Sequence, residues 1–313
     1  MTLRPSRRTV LRWSAAAALA PLTAACSSGP TPTYQVGAAE KGGFFYEFTQ
    51  SLVDAVARAD LDFRLERLVT SGSLQNLTFV RDGTLPLAIA FADAAVADPS
   101  GVVALSRIYE NYLQVAVVAD GPIATVADLP GRRVSLGPVG SGLANSAERI
   151  LQAADVPVDR ITAVPTPLVD LLDALGDGRV EAGFFGGGVP NPVMDTSAGR
   201  GPSSGIRILN LSEPLVRLQA QYGSVYQTVT VPAGVYGSDR DVQTVGVTSL
   251  VLASPSLPDE VAGALVDLMV TRPQELVPPA ALGTQYLSPS ALPYTFGIPL
   301  HPGAVETYRR HHG

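Results

Sequence analysis

The sequence predicts an α/β protein of two lobes, with parallel or mixed sheets covered by helices. Three observations carry this. Strand-period and helix-period segments alternate along the chain. A loop of glycine and serine opens a helix three times in the first half. The roughly 290 residues left after the amino-terminal segment exceed one typical α/β layer set.

The first 26 residues stand apart from the fold. Arg4, Arg7, Arg8 and Arg12 form a positive region, and 13–22 is an apolar stretch too short to span a bilayer. Leu22-Thr23-Ala24-Ala25-Cys26 reads as a lipoprotein cleavage box ending at a lipidation site, Cys26, with Thr23 where leucine is usual. The string SRRTVLR at 6–12 reads equally as a twin-arginine export signal and as an ordinary positive region. Residues 27–33 are a tether of serine, proline, glycine and threonine.

Beyond the tether, 34–39 reads as a strand and 44–59 as a helix. Segment 63–69 alternates Phe, Leu, Leu and Val with Arg and Glu, the period of a strand. Segment 73–81 is helical and stops at Asp82-Gly83, and 85–91 is a buried parallel strand. Strands follow at 114–119 and 133–136, the second after the turn Asp128-Leu129-Pro130-Gly131, and 143–154 is a helix. Then come a helix at 168–176, a short buried strand at 182–185, strands at 226–231 and 244–252, and a helix at 258–270.

Composition narrows the function. Cys26 is the single cysteine, so no disulfide forms within the domain and the core alone stabilises it. The formal charge is −6, and losing the four amino-terminal arginines takes it to about −10. That balance argues against nucleic acid and against broad adhesion to anionic lipid. No later apolar run is long enough to cross a membrane, so a lipid chain on Cys26 is the predicted membrane attachment.

The three loops are the candidate binding site. They are Lys41-Gly42-Gly43, Thr70-Ser71-Gly72-Ser73 and the GPVGSG string at 137–142. A helix start exposes N–H groups without intrahelical partners, with the positive end of the dipole behind them. Such an end takes carboxylate or phosphate, and glycine lets the ligand approach. A single loop of this kind is explained as well by a tight connection. Three in series point to one small anion in a common crevice at the strand ends. Ser71, Ser73 and Ser141 add hydroxyls, Asn76 a side-chain amide, and Phe45 an aromatic wall. Gly186-Gly187-Gly188, after an apolar strand, suits close approach of backbone to a ligand or to another backbone. Asp93 reads as a helix cap. His301, His311 and His312 lack partners at metal-ligand spacing and read as a solvated tail. No GxSxG nucleophile elbow, with its serine between a strand and a helix, is present, and HExxH and P-loop motifs are absent.

The strings GGFFYEF, TSGSLQN, DLPGRRVSLGPVGSG, GFFGGGVPNP, VPAGVY with TVGVTSLVL, and IPLHPGA stand in this order between Val36 and Gly303. Together they resemble the TAXI-type solute receptors of TRAP transporters. The resemblance implies a type II periplasmic-binding-protein fold, two α/β lobes joined by crossover strands near 114–119 and 244–252. Lobe one would be 34–117 with 248–313, and lobe two 118–247. It implies an extracytoplasmic, lipid-anchored receptor for a small organic anion (a dicarboxylate, a 2-oxo acid or an acidic amino acid) that serves a TRAP-type membrane permease. The ligand-contact residues carried over are Gly43, Phe45, Ser71, Gly72, Ser73, Asn76, Gly140, Ser141, Gly142, Gly187 and Gly188. No catalytic residue, cofactor or metal is called for. Four features depart from the family pattern: Phe45 replaces a usual tyrosine, Glu40-Lys41 precedes the first loop, Ala90-Phe91-Ala92 is apolar where the family is often polar, and GFFGGGVPNP has an extra glycine where the family often carries a bulkier residue.

Rival readings are a receptor that reports to a membrane sensor and an enzyme on the same fold. The enzyme reading would rest on Asp93 and Glu47. A third is an orphan receptor whose cleft is filled by Phe45 and Phe91.

Overall fold

The computed structural model describes residues 30–196, 199–278 and 286–312. The leader, the lipidation residue Cys26 and tether positions 27–29 lie outside the described residues. Each early strand is followed by a helix that buries one face against it. Strand β1 (Thr33–Gly37) leads to α1 (Phe44–Arg58), β2 (Arg64–Leu68) to α2 (Ser73–Arg81), and β3 (Leu87–Phe91) to α3 (Ala92–Ala97). In α1, Phe44, Phe48, Leu52, Ala55 and Val56 recur at helical spacing and are buried. All five residues of β3 are buried, as in a strand covered on both faces.

The middle of the chain repeats this on a smaller scale. It contains β5 (Arg133–Ser135), α4 (Gly142–Ala153), β6 (Thr162–Ala163), α5 (Leu171–Gly176), β7 (Ala182–Phe185) and β8 (Ile206–Ile208). Then come α6 (Ser212–Tyr222), β9 (Tyr226–Val231), α7 (Asp259–Thr271) and α8 (Pro302–His312).

Two long strands, β4 (Val103–Val118) and β10 (Val242–Ala253), join the halves. The strand order is β2-β1-β3-β10-β4-β7-β5-β6, with β8 added to β4 and β9 to β10. Pairing is parallel within each outer group (β1 with β2 and β3; β5 with β6 and β7) and antiparallel wherever β4 or β10 takes part. Strand β4 follows β10 up to Leu113, then carries β7 from Gln114 and β8 from Ala116. Conversely, β10 carries β9 at 242–247 and β3 at 249–253.

The expected crossover at 114–119 is thus only the last part of a strand that begins at Val103. Its first half, VALSRIYENYL, interrupts apolar residues with Ser, Arg, Glu and Asn, which hides its period. Those polar residues are buried because β10 supplies partners. Thr248 donates to Glu110 at 2.8 Å, Arg107 donates to Thr248 at 3.2 Å, and the Arg107 guanidinium lies 3.2 Å from the Tyr286 ring centre. Burial pushes the Glu110 carboxyl above its ordinary pKa, against the lowering effect of its hydrogen bonds and Arg107.

Two corrections concern single residues. Of the carboxyl-terminal histidines, His311 and His312 are exposed, but on the last turn of a helix, 302–312, that packs on α7, and His301 is buried with its Nδ1 accepting from Gly303 N–H at 3.2 Å. Asp93 does not cap α3 with its side chain. Its Oδ2 accepts from Tyr226 (2.6 Å), Ser146 (2.8 Å), Asn145 (3.2 Å) and Arg149 (3.3 Å), tying α3 to α4 and β9.

Candidate functional site

The starts of α1, α2 and α4 meet around one cavity of about 70 Å³. The first loop contributes Ala39, Glu40, Gly43, Phe44 and Phe45; the second Ser71, Gly72 and Ser73; the third Gly137, Pro138, Ser141, Gly142 and Leu143. Phe91, Asn111, Thr166, Leu168, Phe184 and Gly186 complete the wall. The cavity lies between the β1–β3 side of the sheet and the β5–β7 side, with crossover β4 contributing Asn111.

Each helix start leaves donors free. The N–H groups of Phe44, Phe45, Ser73, Leu74, Gly142 and Leu143 reach no protein acceptor among the described residues. At α4 the Ser141 hydroxyl caps the helix by accepting from Ala144 N–H at 3.0 Å. Ser73 Oγ accepts from Phe91 N–H at 2.9 Å. Both hydroxyls keep their own proton for donation.

Glycine is required where the loops touch. A Cβ on Gly142 would stand 2.8 Å from the Phe91 ring and would overlap Ser73, so α2 and α4 approach as closely as they do only without a side chain there. Gly72 has φ +115°, a region L side chains rarely adopt, and faces Ser141.

Of the sequence-predicted site residues, Gly43, Phe45, Ser71, Gly72, Ser73, Ser141 and Gly142 line this cavity. Gly140 stands just outside it, at φ +78°, with its Cβ direction facing Ser71 Oγ. Gly187 and Gly188 line an adjoining cavity of about 40 Å³ that shares Gly43 and Phe44 with the first. Asn76 lies beneath the site: its Nδ2 donates to the carbonyls of Gly37 (3.2 Å), Ala38 (2.7 Å) and Ile89 (2.7 Å), so the amide binds β1 and β3 to α2. Phe45 and Phe91 pack edge to face with centroids 5.3 Å apart, and the cavity remains open beside them. Neither Asp93 nor Glu47 lines it.

Phe44, which the sequence offers as a pocket wall or as core, serves as both, and Glu40 and Asn111 are wall residues that the sequence reading did not place there. Phe44 stacks on Tyr109 at 3.7 Å between centroids while its edge meets the cavity. Asn111 is buried on β4, its Nδ2 donating to Ser249 Oγ and, at 3.5 Å, to Val247 O. An asparagine inside an apolar strand run was the available signal. Among the described residues Glu40 is the only charged side chain in the wall. Its Oε2 accepts from Leu168 N–H at 3.3 Å, and burial, helped by Asp170, raises its pKa against that hydrogen bond.

A match to the NMT1-like family runs over residues 36–311. The chain belongs to that family. It is a family of periplasmic solute-binding proteins. Among solved structures, similarity extends to a Xanthomonas citri protein bound to chloride ion, 13% identical, covering 89% of this chain and 99% of that one with a TM-score of 0.52. PhnD1 from Prochlorococcus marinus in complex with methylphosphonate is 12% identical, covering 79% and 83%, with a TM-score of 0.51. The periplasmic aliphatic sulphonate binding protein SsuA from Escherichia coli is 16% identical over 90% and 84%, with a TM-score of 0.45. The NMT1-like chain therefore has the periplasmic-binding-protein fold that its crossover strands indicate. No helix among its described residues is long and apolar enough to cross a membrane.

Proposed function

We propose that this NMT1-like protein is an extracytoplasmic receptor that captures a small organic acid on its three helix starts and delivers it to a TRAP-type permease. The observation that carries the reading is the convergence of free N–H groups from α1, α2 and α4 on one cavity. The ligand carboxylate docks at Ser73 and Ser141, where two dipole ends and two hydroxyl protons point at it. Segments 34–117 with 248–313 and 118–247 act as two lobes that close over the ligand and present a new surface to the permease. Cys26 carries the lipid that holds the receptor at the outer face of the membrane. The anionic ligands of the chloride-bound and methylphosphonate-bound structures accord with an anion cradle at this fold's centre.

The test is a thermal-shift screen of the purified protein against monocarboxylates, dicarboxylates, 2-oxo acids and amino acids. A ligand that binds only the folded state raises the melting temperature by mass action. At a concentration one hundred times Kd the stabilisation is about 2.7 kcal/mol. Ser73→Ala and Ser141→Ala should each reduce the shift, measured against each variant's own ligand-free melting temperature, because Ser141→Ala also removes a helix cap worth about 1 kcal/mol. A panel without any shift would remove the reading.

A further inference from the structure

The cavity that cradles an anion contains one charge of its own, and it is negative. Glu40 enters from the loop before α1, and among the described residues no lysine, arginine or histidine lines the wall to balance it. Its Oε2 is held by Leu168 N–H at 3.3 Å, while Oε1 has no hydrogen bond among the described residues. A carboxylate in such surroundings lacks a counter-charge, which accords with the upward displacement of its pKa by burial and Asp170.

A second group adds the same polarity. Asn111 is only 2% exposed and lines the cavity from β4. Its Nδ2 is committed to Val247 O, which can only accept, and to Ser249 Oγ. The atom left for a ligand is therefore the amide oxygen, another acceptor. The wall thus combines donors at the starts of α2 and α4 with acceptors at Glu40, on the loop before α1, and at Asn111 on β4.

From this arrangement we infer that the ligand is a compact zwitterion, with its carboxylate on the helix starts and a positively charged nitrogen paired with Glu40. The inference rests on the anion cradle proposed above and narrows it: amino acids and betaines fit, whereas a dicarboxylate would set its second charge against Glu40 with no cation between them. Size agrees. A space of about 70 Å³ holds on the order of five water-sized groups, the scale of glycine or alanine, and a betaine, with eight non-hydrogen atoms, would need the cavity to widen.

The experiment is calorimetric titration of the purified protein, wild type and Glu40→Gln, with glycine, alanine and glycine betaine, and with acetate, succinate and 2-oxoglutarate. Wild type should bind a zwitterion and prefer it to acetate. Glu40→Gln should weaken that zwitterion roughly ten- to hundred-fold, as loss of a charge-assisted hydrogen bond does, and leave acetate unchanged or tighter. Glu40→Asp, which keeps the charge, should recover part of the loss, and the ligand-free melting temperature of each variant controls for folding. Preference for amino acids over betaine marks a protonated amine; the reverse marks a methylated one. Either order supports the inference. Tight binding of succinate or 2-oxoglutarate without zwitterion binding would overturn the inference and leave the anion cradle standing. An equal loss of acetate and zwitterion binding in Glu40→Gln would overturn it too, since Glu40 would then hold the carboxylate as a neutral acid. Absence of binding by every compound would overturn both.

Discussion

Glu40 shows at the scale of one residue how a binding site is held against stability. Its carboxyl binds its proton more tightly folded than unfolded, because burial disfavours the charged form and Asp170 repels it. Its contribution to stability is therefore fully present below the ordinary value of 4.5 and is lost as pH rises through the raised folded value. At neutral pH the ligand-free protein carries that penalty. Glu40→Gln keeps an acceptor for Leu168 N–H and removes the charge, so its ligand-free melting temperature should exceed wild type at neutral pH. A gain of 1 kcal/mol would appear as roughly 2–4 °C. The difference should vanish below about pH 4, where both side chains are neutral. Melting curves across that range would refute the account if the difference did not depend on pH. The sequence displays Glu40 only as an acidic residue before a glycine loop. Its place in the cavity wall follows from Leu168, more than a hundred residues away.

Among elements, the junctions between α2, α3 and α4 set the geometry of the site. Asn76 fixes α2 to β1 and β3 through three carbonyls. Gly142 lets the start of α4 come against Ser73 and Phe91. On the far side of that contact, Asp93 gathers donors from α4 and β9, with Arg149 also over the Tyr222 ring at 4.6 Å. This buried ion pair is costly to break from one side, since removing the carboxylate leaves Arg149, Tyr226 and Ser146 without their acceptor. Asp93→Ala should lower the free energy of unfolding by about 3–5 kcal/mol in a denaturant titration. A loss under about 1 kcal/mol would show that the network contributes only locally. The helix α2 was legible to the residue in the sequence, from TSGS at its start to Asp82-Gly83 at its end. The contact of α2 with α4 was not, because glycines in a sequence report freedom and not what fills the space beside them.

For the whole molecule, β4 and β10 are the elements that both halves of the sheet share. They are stitched by Glu110, Arg107 and Thr248, polar groups that a strand could bury only beside a partner that satisfies them. Any relative movement of the proposed lobes must bend these two strands. Attachment belongs to this scale as well. If Cys26 carries a lipid, Cys26→Ser should shift the protein from the membrane pellet to the soluble extracytoplasmic fraction, with its melting behaviour unchanged. Persistence in the pellet would remove the anchor from the reading. A single acyl chain gives only marginal membrane binding and stable anchoring takes more than one, so a clean shift would indicate a multiply acylated amino terminus.

Local pattern determined much of this protein. Strand and helix patterns located many elements, among them β7 at 182–185, a short run buried at all four residues, and β9 at 226–231, because burial imposes a pattern on even a short segment. Glycine and serine at helix starts marked the three loops that line the cavity, the proposed anion cradle. Tertiary structure decided the rest. It made the first half of β4 a strand by giving its polar residues partners on β10, and it turned the carboxyl-terminal histidine segment into a helix packed on α7. It also brought the three helix starts to one cavity and put Glu40 and Asn111 in its wall. The sign of each group was readable in the chain. Their meeting in one cavity was not, because it depends on which residues distant in sequence become neighbours.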